Sequence, residues 1–146
     1  MHKRTTRAIS LGGLSIGGGA PVMVQSMTNT DTRDAEATLA QIARLEARGC
    51  EAVRVAVPDE AAVAALSAIR AGTRLPLIAD IHFYYRLAVA SLEAGLEGLR
   101  INPGNIGPRE HVDRVVDAAK AHGAVIRVGV NSGSVEKRLL QQYGGP

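Results

Sequence analysis

Residues 99–107, LRINPGNIG, place Arg100 and Asn102 two positions apart at the end of an apolar run. Side chains alternate along a strand, so both belong to the same face. The same design recurs as Arg54 in VRVAVP, Asp80 and His82 in ADIHF, and Arg127 and Asn131 in IRVGVNSG. Spacings of two or four residues put each pair on one face. Parallel strands covered on both sides read as unbroken Val, Ile and Leu. These do not. An unpaired guanidinium in the interior costs on the order of several kcal/mol. Three such arginines against one aspartate leave an excess of positive charge at one end of a sheet. Arginine forks bind phosphate or carboxylate oxygens in pairs, and Asn102, Asn131 and the loop amides of PGN and NSGS add neutral donors. A small substrate with two phosphates fits that inventory. His82 is a candidate proton donor or hydrogen-bond partner of such a ligand. The competing, purely structural arrangement pairs the arginines with helix acids such as Glu36, Asp59 or Glu110.

The elements that would carry these residues follow from periodicity. RAISLGGLSIGGGAPVMVQSM has short apolar pieces broken by glycines, as a hairpin leading into a further strand would. The glycine spacing matches neither GxxxxGK[ST] nor GxGxxG, so the stretch is read as turns and not as a phosphate loop. DAEATLAQIARLEARG has helical periodicity, acids in its first turn and Gly49 as a stop. EAVRVAV is a strand, 59–71 a helix, LPLIADIHF a strand and the segment near 84–95 a helix. GLEGLRIN is the fourth strand, 108–122 a helix opened by Pro108, and AVIRVGVNSGS the fifth strand. VEKRLLQQYGG begins another helix.

Strand and helix alternate in a unit of roughly 25 residues, which implies parallel strands joined by right-handed crossovers. An open doubly wound sheet and a closed (β/α)8 barrel compete. A barrel needs about 250 residues, so length alone favours the open sheet. Both architectures place a ligand at the carboxyl ends of the strands, where the polar residues lie.

Composition bounds the rest. The 146 residues are 46% apolar and carry a formal charge of +3, with both signs interspersed. One domain is expected. Charge without a basic block, and only Phe83, Tyr84, Tyr85 and Tyr143 as aromatics, point away from nucleic acid. Cys50 is the single cysteine, so an internal disulfide is excluded. Glycine-rich LGGLSIGGGAP cannot serve as a signal-peptide core, and no apolar run reaches about 18 residues, so no membrane association and a cytoplasmic location are expected. Cys50 is read as a small buried residue, and His2, His111 and His122 as solvated. No metal-ligand spacing joins the histidines.

The segments VMVQSMTNTDT, VRVAVP, ADIHF, LRINPGNIG, IRVGVNSGS and QYGGP resemble, in order and spacing, the amino-terminal half of the 4-hydroxy-3-methylbut-2-enyl diphosphate synthase family. ADIHF and NPGNIG argue against another diphosphate-binding barrel such as a pterin-using synthase. The resemblance implies a bacterial enzyme of the methylerythritol phosphate route to isoprenoids. Such an enzyme reductively opens 2-C-methyl-D-erythritol 2,4-cyclodiphosphate with two electrons from ferredoxin or flavodoxin through a [4Fe-4S] cluster. It implies a TIM-type (β/α)8 barrel, here its first five strands and four to five helices behind a β-hairpin, so the fold expectation moves from open sheet to barrel. It also implies that Arg54, Asp80, His82, Arg100, Asn102, Arg127 and Asn131 line the substrate pocket.

Two departures qualify the resemblance. IHFYYRLA carries Tyr84 where members often read IHFDYRLA, which implies a tuned pocket. The match also stops within the fifth helix, so residues 1–146 are expected to be a partial substrate-binding barrel and a fragment of a longer protein. The family's cluster sits on three cysteines and a glutamate of a separate carboxy-terminal domain, and Cys50 matches none of these ligands. The family's homodimer, in which one subunit's cluster domain covers the other's barrel, needs that domain too. The isolated chain is therefore expected to be inactive, with an exposed apolar edge. The alternative is a non-catalytic half-barrel that binds a phosphorylated metabolite and needs a partner chain.

Overall fold

Gly12 and Gly13, at φ 53° and 93°, turn the chain between β1 (Ile9–Leu11) and β2 (Leu14–Ile16). Two successive positive φ values are what a two-residue hairpin of type I′ requires, and the strands pair antiparallel with Leu11 opposite Leu14. The computed structural model describes residues 4–144. His2 and the end of QYGGP, Gly145 and Pro146, lie outside the described residues.

After the hairpin, strands and helices alternate: β3 (Gln25–Met27), α1 (Ala35–Glu46), β4 (Ala52–Ala56), α2 (Glu60–Ala71), β5 (Leu77–Asp80), α3 (Tyr85–Glu93), β6 (Gly98–Ile101), α4 (Arg109–Ala121) and β7 (Val125–Val128). A short 3-10 turn (Ser132–Ser134) and α5 (Lys137–Tyr143) follow. Asp34 and Asp59 start α1 and α2 by accepting the amides of Ala37 and Ala62, each at 2.9 Å, a cap that contributes about 1 kcal/mol.

The sheet order is β3-β4-β5-β6-β7, parallel throughout. A doubly wound sheet reverses its strand order at a switch point; this one never does, so every crossover runs the same way. The helices pack in succession, α1 on α2, α2 on α3 and α3 on α4. Against them lie Val53, Val55, Leu77, Ala79, Leu99 and Ile101, in one core with Leu66, Ile69, Leu92 and Val115. The alternate positions face the concave side, where Ala52 and Ile78 form a second small core with Leu11 of the hairpin, flanked by Met23 and Val125. Leu11 enters because Gly98 has no side chain: a Cβ there would lie 2.9 Å from Leu11 Cδ1. The hairpin thus plugs the amino end of a barrel interior.

Curvature is measured by one contact. Arg127 Nη1 on β7 donates to Gln25 Oε1 on β3 at 3.1 Å. In a flat sheet these outermost strands would stand roughly 19 Å apart. The sheet has curled on itself, and the architecture is a partial (β/α)8 barrel, which excludes the open sheet that chain length favoured. At its margins Val24, Val128 and Val130 are exposed, as expected of an uncovered apolar edge. Among the described residues no helix is long and apolar enough to cross a membrane.

The strands are shorter than their apolar runs. β5 ends at Asp80, β6 at Ile101 and β7 at Val128, so His82, Asn102 and Asn131 sit in the following loops. The reason is pairing: each strand stops where its neighbour's ladder stops, and the chain must then turn toward its helix.

Candidate anion site at the carboxyl ends of the strands

Asp80, the last residue of β5 and 5% exposed, is the hub. Arg100 lies opposite it on β6 and brings Nη1 to 3.4 Å of Asp80 Oδ1. Arg54 of β4 places Nε 3.6 Å from Oδ2, and His82 places Nε2 3.7 Å from the same oxygen. One carboxylate therefore holds two guanidinium groups and an imidazole. None of the three arginines pairs with Glu36, Asp59 or Glu110; Asp59 receives Arg33 instead, at 3.4 Å.

The arginines have further partners. Arg54 directs Nε and Nη2 at Met27 Sδ, both at 3.3 Å, a weak acceptor that leaves the cation undercompensated. Arg100 Nη2 donates to the Gly129 carbonyl at 3.4 Å. Arg127 is the cross-strand partner of Arg100, and among the described residues no carboxylate lies within ion-pair distance of it. Like charges directly opposite on neighbouring strands repel. The site holds more positive charge than its protein partners neutralise.

The two asparagines are arranged differently. Asn102 is 2% exposed; its Nδ2 donates to Ser134 Oγ at 2.8 Å and its Oδ1 accepts from the Gly104 amide at 3.1 Å. Asn131 is exposed, opens the 3-10 turn and shares hydrogen bonds with Ser134. The structure thus brings Arg54, Asp80, His82 and Arg100 into direct contact, sets Arg127 beside Arg100, and joins Asn102 to Asn131 through Ser134. Periodicity did not single out Met27, Gly129 or Ser134. The N-x-x-S spacing of Asn131 and Ser134 is a capping signature that could have marked the last of these. Nor did it single out Thr28 and Thr32 in the loop after β3, whose buried hydroxyls have no hydrogen-bond partner. Such groups are suited to a ligand oxygen or water.

The rim is set by local chemistry. Arg33 donates to Asp31 at 2.9 Å and holds that carboxyl below its usual range. His111 is half-buried and not solvated as expected: its ring stacks on Tyr85 at 4.1 Å and its Nδ1 lies 3.2 Å from the Ile106 carbonyl. His122 is exposed. Tyr84 stands at the N-cap of α3 without a side-chain hydrogen bond to it and is 66% exposed, whereas an aspartate there would cap the helix.

Among the described residues no group of three His, Cys, Asp or Glu could hold a metal ion. Cys50 is buried before the start of β4, at the opposite end of the sheet from the arginines, and its thiol donates to the Ala52 carbonyl at 3.1 Å. These residues do not fit an iron–sulfur cluster.

Comparison with known proteins agrees with the barrel architecture. Residues 6–146 match the model of the GcpE TIM-barrel domain. The chain is 66% identical over 144 residues to the 4-hydroxy-3-methylbut-2-en-1-yl diphosphate synthase (flavodoxin) of Lawsonia intracellularis, covering 99% of this chain and 40% of that protein. It is 61% identical over 146 residues to the enzyme of the same name from Nitratidesulfovibrio vulgaris, covering 100% of this chain and 38% of the relative. The chain therefore spans about two-fifths of the length of these relatives. Among solved structures, mandelate oxidase with (S)-2-phenylpropionate superposes with a TM-score of 0.58 at 17% identity, over 88% of this chain and 63% of that one. That likeness is one of fold alone. With its matched motifs, its consecutive parallel strands and a family model spanning residues 6–146, the chain belongs to the GcpE TIM-barrel domain family.

Proposed function

We propose that this chain is the diphosphate-binding barrel portion of an enzyme that reductively opens 2-C-methyl-D-erythritol 2,4-cyclodiphosphate to 4-hydroxy-3-methylbut-2-enyl diphosphate, an isoprenoid-forming step in the bacterial cytoplasm. The observation that carries the reading is the cross-strand pair Arg100 and Arg127, beside Arg54, with Asp80 as the one buried carboxylate among them. Two linked phosphates supply the charge that this arrangement lacks. Arg54, Arg100 and Arg127 bind the phosphoryl oxygens, Asp80 keeps the first two guanidinium groups in place, and Asn131 adds a neutral donor. His82, half-exposed beside Asp80, is placed to give a proton to a ligand oxygen. The redox part of the reaction, with a [4Fe-4S] cluster, belongs to residues outside this chain, and the names of the relatives support flavodoxin as electron donor. A homodimer of the full-length protein fits the same reading. This chain supplies affinity without turnover.

The test is isothermal titration of the chain with the cyclodiphosphate and with inorganic pyrophosphate. Binding that weakens as salt rises, and falls at least about tenfold in Arg100→Ala, is expected. Unaltered binding by that variant removes the reading.

A further inference from the structure

Ser134 uses its full hydrogen-bonding capacity inside the protein. Its hydroxyl accepts from Asn102 Nδ2 at 2.8 Å and from the Asn131 amide at 3.1 Å, and donates to the Asn131 carbonyl at 3.0 Å. A serine hydroxyl has one proton and two lone pairs, so nothing remains for a ligand. The same atom closes the turn after β7 and ties it to the turn after β6. Backbone packing repeats the link, because a Cβ on Gly104 would overlap the Ser134 carbonyl oxygen. Asn102 enters the latch through Nδ2, its Oδ1 is taken by the Gly104 amide of its own loop, and the residue is 2% exposed.

The latch connects the segments that carry the two neighbouring cations. Asn102 lies two residues after Arg100, and Asn131 four residues after Arg127. Arg100 also reaches across to the Gly129 carbonyl, in the stretch between Arg127 and the latch. A shift of one turn against the other therefore changes the separation of the two guanidinium groups, which sets how far apart two phosphates can be held.

We propose that Ser134 is a positioning residue for the anion site, fixing the spacing of Arg100 and Arg127 for two linked phosphates, and that Asn102 acts through this latch without touching the ligand. The proposal rests on the anion-site reading above and predicts selectivity beyond affinity. One phosphate needs only one guanidinium, whereas a diphosphate needs both at a set distance.

The experiment titrates the full 146-residue chain with inorganic pyrophosphate and, separately, with inorganic phosphate, in the parent, Ser134→Ala and Ser134→Thr, with circular dichroism and Tm recorded for each. Expected is a loss of about tenfold in pyrophosphate affinity in Ser134→Ala, a change of less than about twofold for phosphate, and recovery in Ser134→Thr, which keeps the hydroxyl. Equal losses for both ions, or no loss for either, overturn the proposal and leave the anion site standing. A parent chain that binds neither ion overturns the anion site itself. Should Ser134→Ala not fold, Ser134→Cys, whose thiol is a weak donor and acceptor, is read by the same ratio.

Discussion

The Arg100 guanidinium packs against Gly129 and donates to its carbonyl at 3.4 Å. A Cβ at Gly129 would come within 2.6 Å of Arg100 Nε and 2.9 Å of its Nη2. The obstructing atoms belong to a flexible side chain, so Gly129→Ala moves the arginine and not the backbone. Pyrophosphate affinity is expected to fall about tenfold with little change in Tm. Titration calorimetry beside a thermal melt separates the two effects, and undiminished affinity would show that Arg100 does not bind from its observed position.

Asp80 is the one carboxylate that Arg54 and Arg100 share, and it is buried. Asp80→Asn leaves two half-buried guanidinium groups without their shared carboxylate, a loss of about 3 kcal/mol in stability. A bound polyanion replaces the missing charge. Added pyrophosphate should raise the Tm of the variant by more than it raises the parent's, and equal increments would mean that the anion does not sit among these arginines.

The hairpin is held through Leu11, 1% exposed against Ala52, Ile78 and Val125. Leu11→Ala removes that plug from the amino end of the interior and should cost roughly 3 kcal/mol. Urea unfolding measures it, and a loss under about 1 kcal/mol would show that the hairpin is a loosely attached appendage.

Much of this molecule is written locally in its sequence. The order of strands and helices and the inward-facing polar positions Arg54, Asp80, Arg100 and Arg127 follow from periodicity, because each depends on neighbours a few residues away. The expectation that the arginines need an anion arises the same way, from counting charge on one face. Chain length pointed to the wrong architecture, since a count of residues carries no information on which way the crossovers turn.

Other features depend on contacts between residues distant in sequence. The curl that brings Arg127 to Gln25, 102 residues away, is the sum of strand twists and helix packing, which no short window contains. Asp80 as a shared counter-ion and Met27 against Arg54 need the register of adjacent strands. The latch at Ser134 needs two loops to meet, and loop hydrogen bonds follow no period. Sequence determined which side chains face the interior; the tertiary structure decided which of them touch, because pairing depends on distances that only the closed sheet sets.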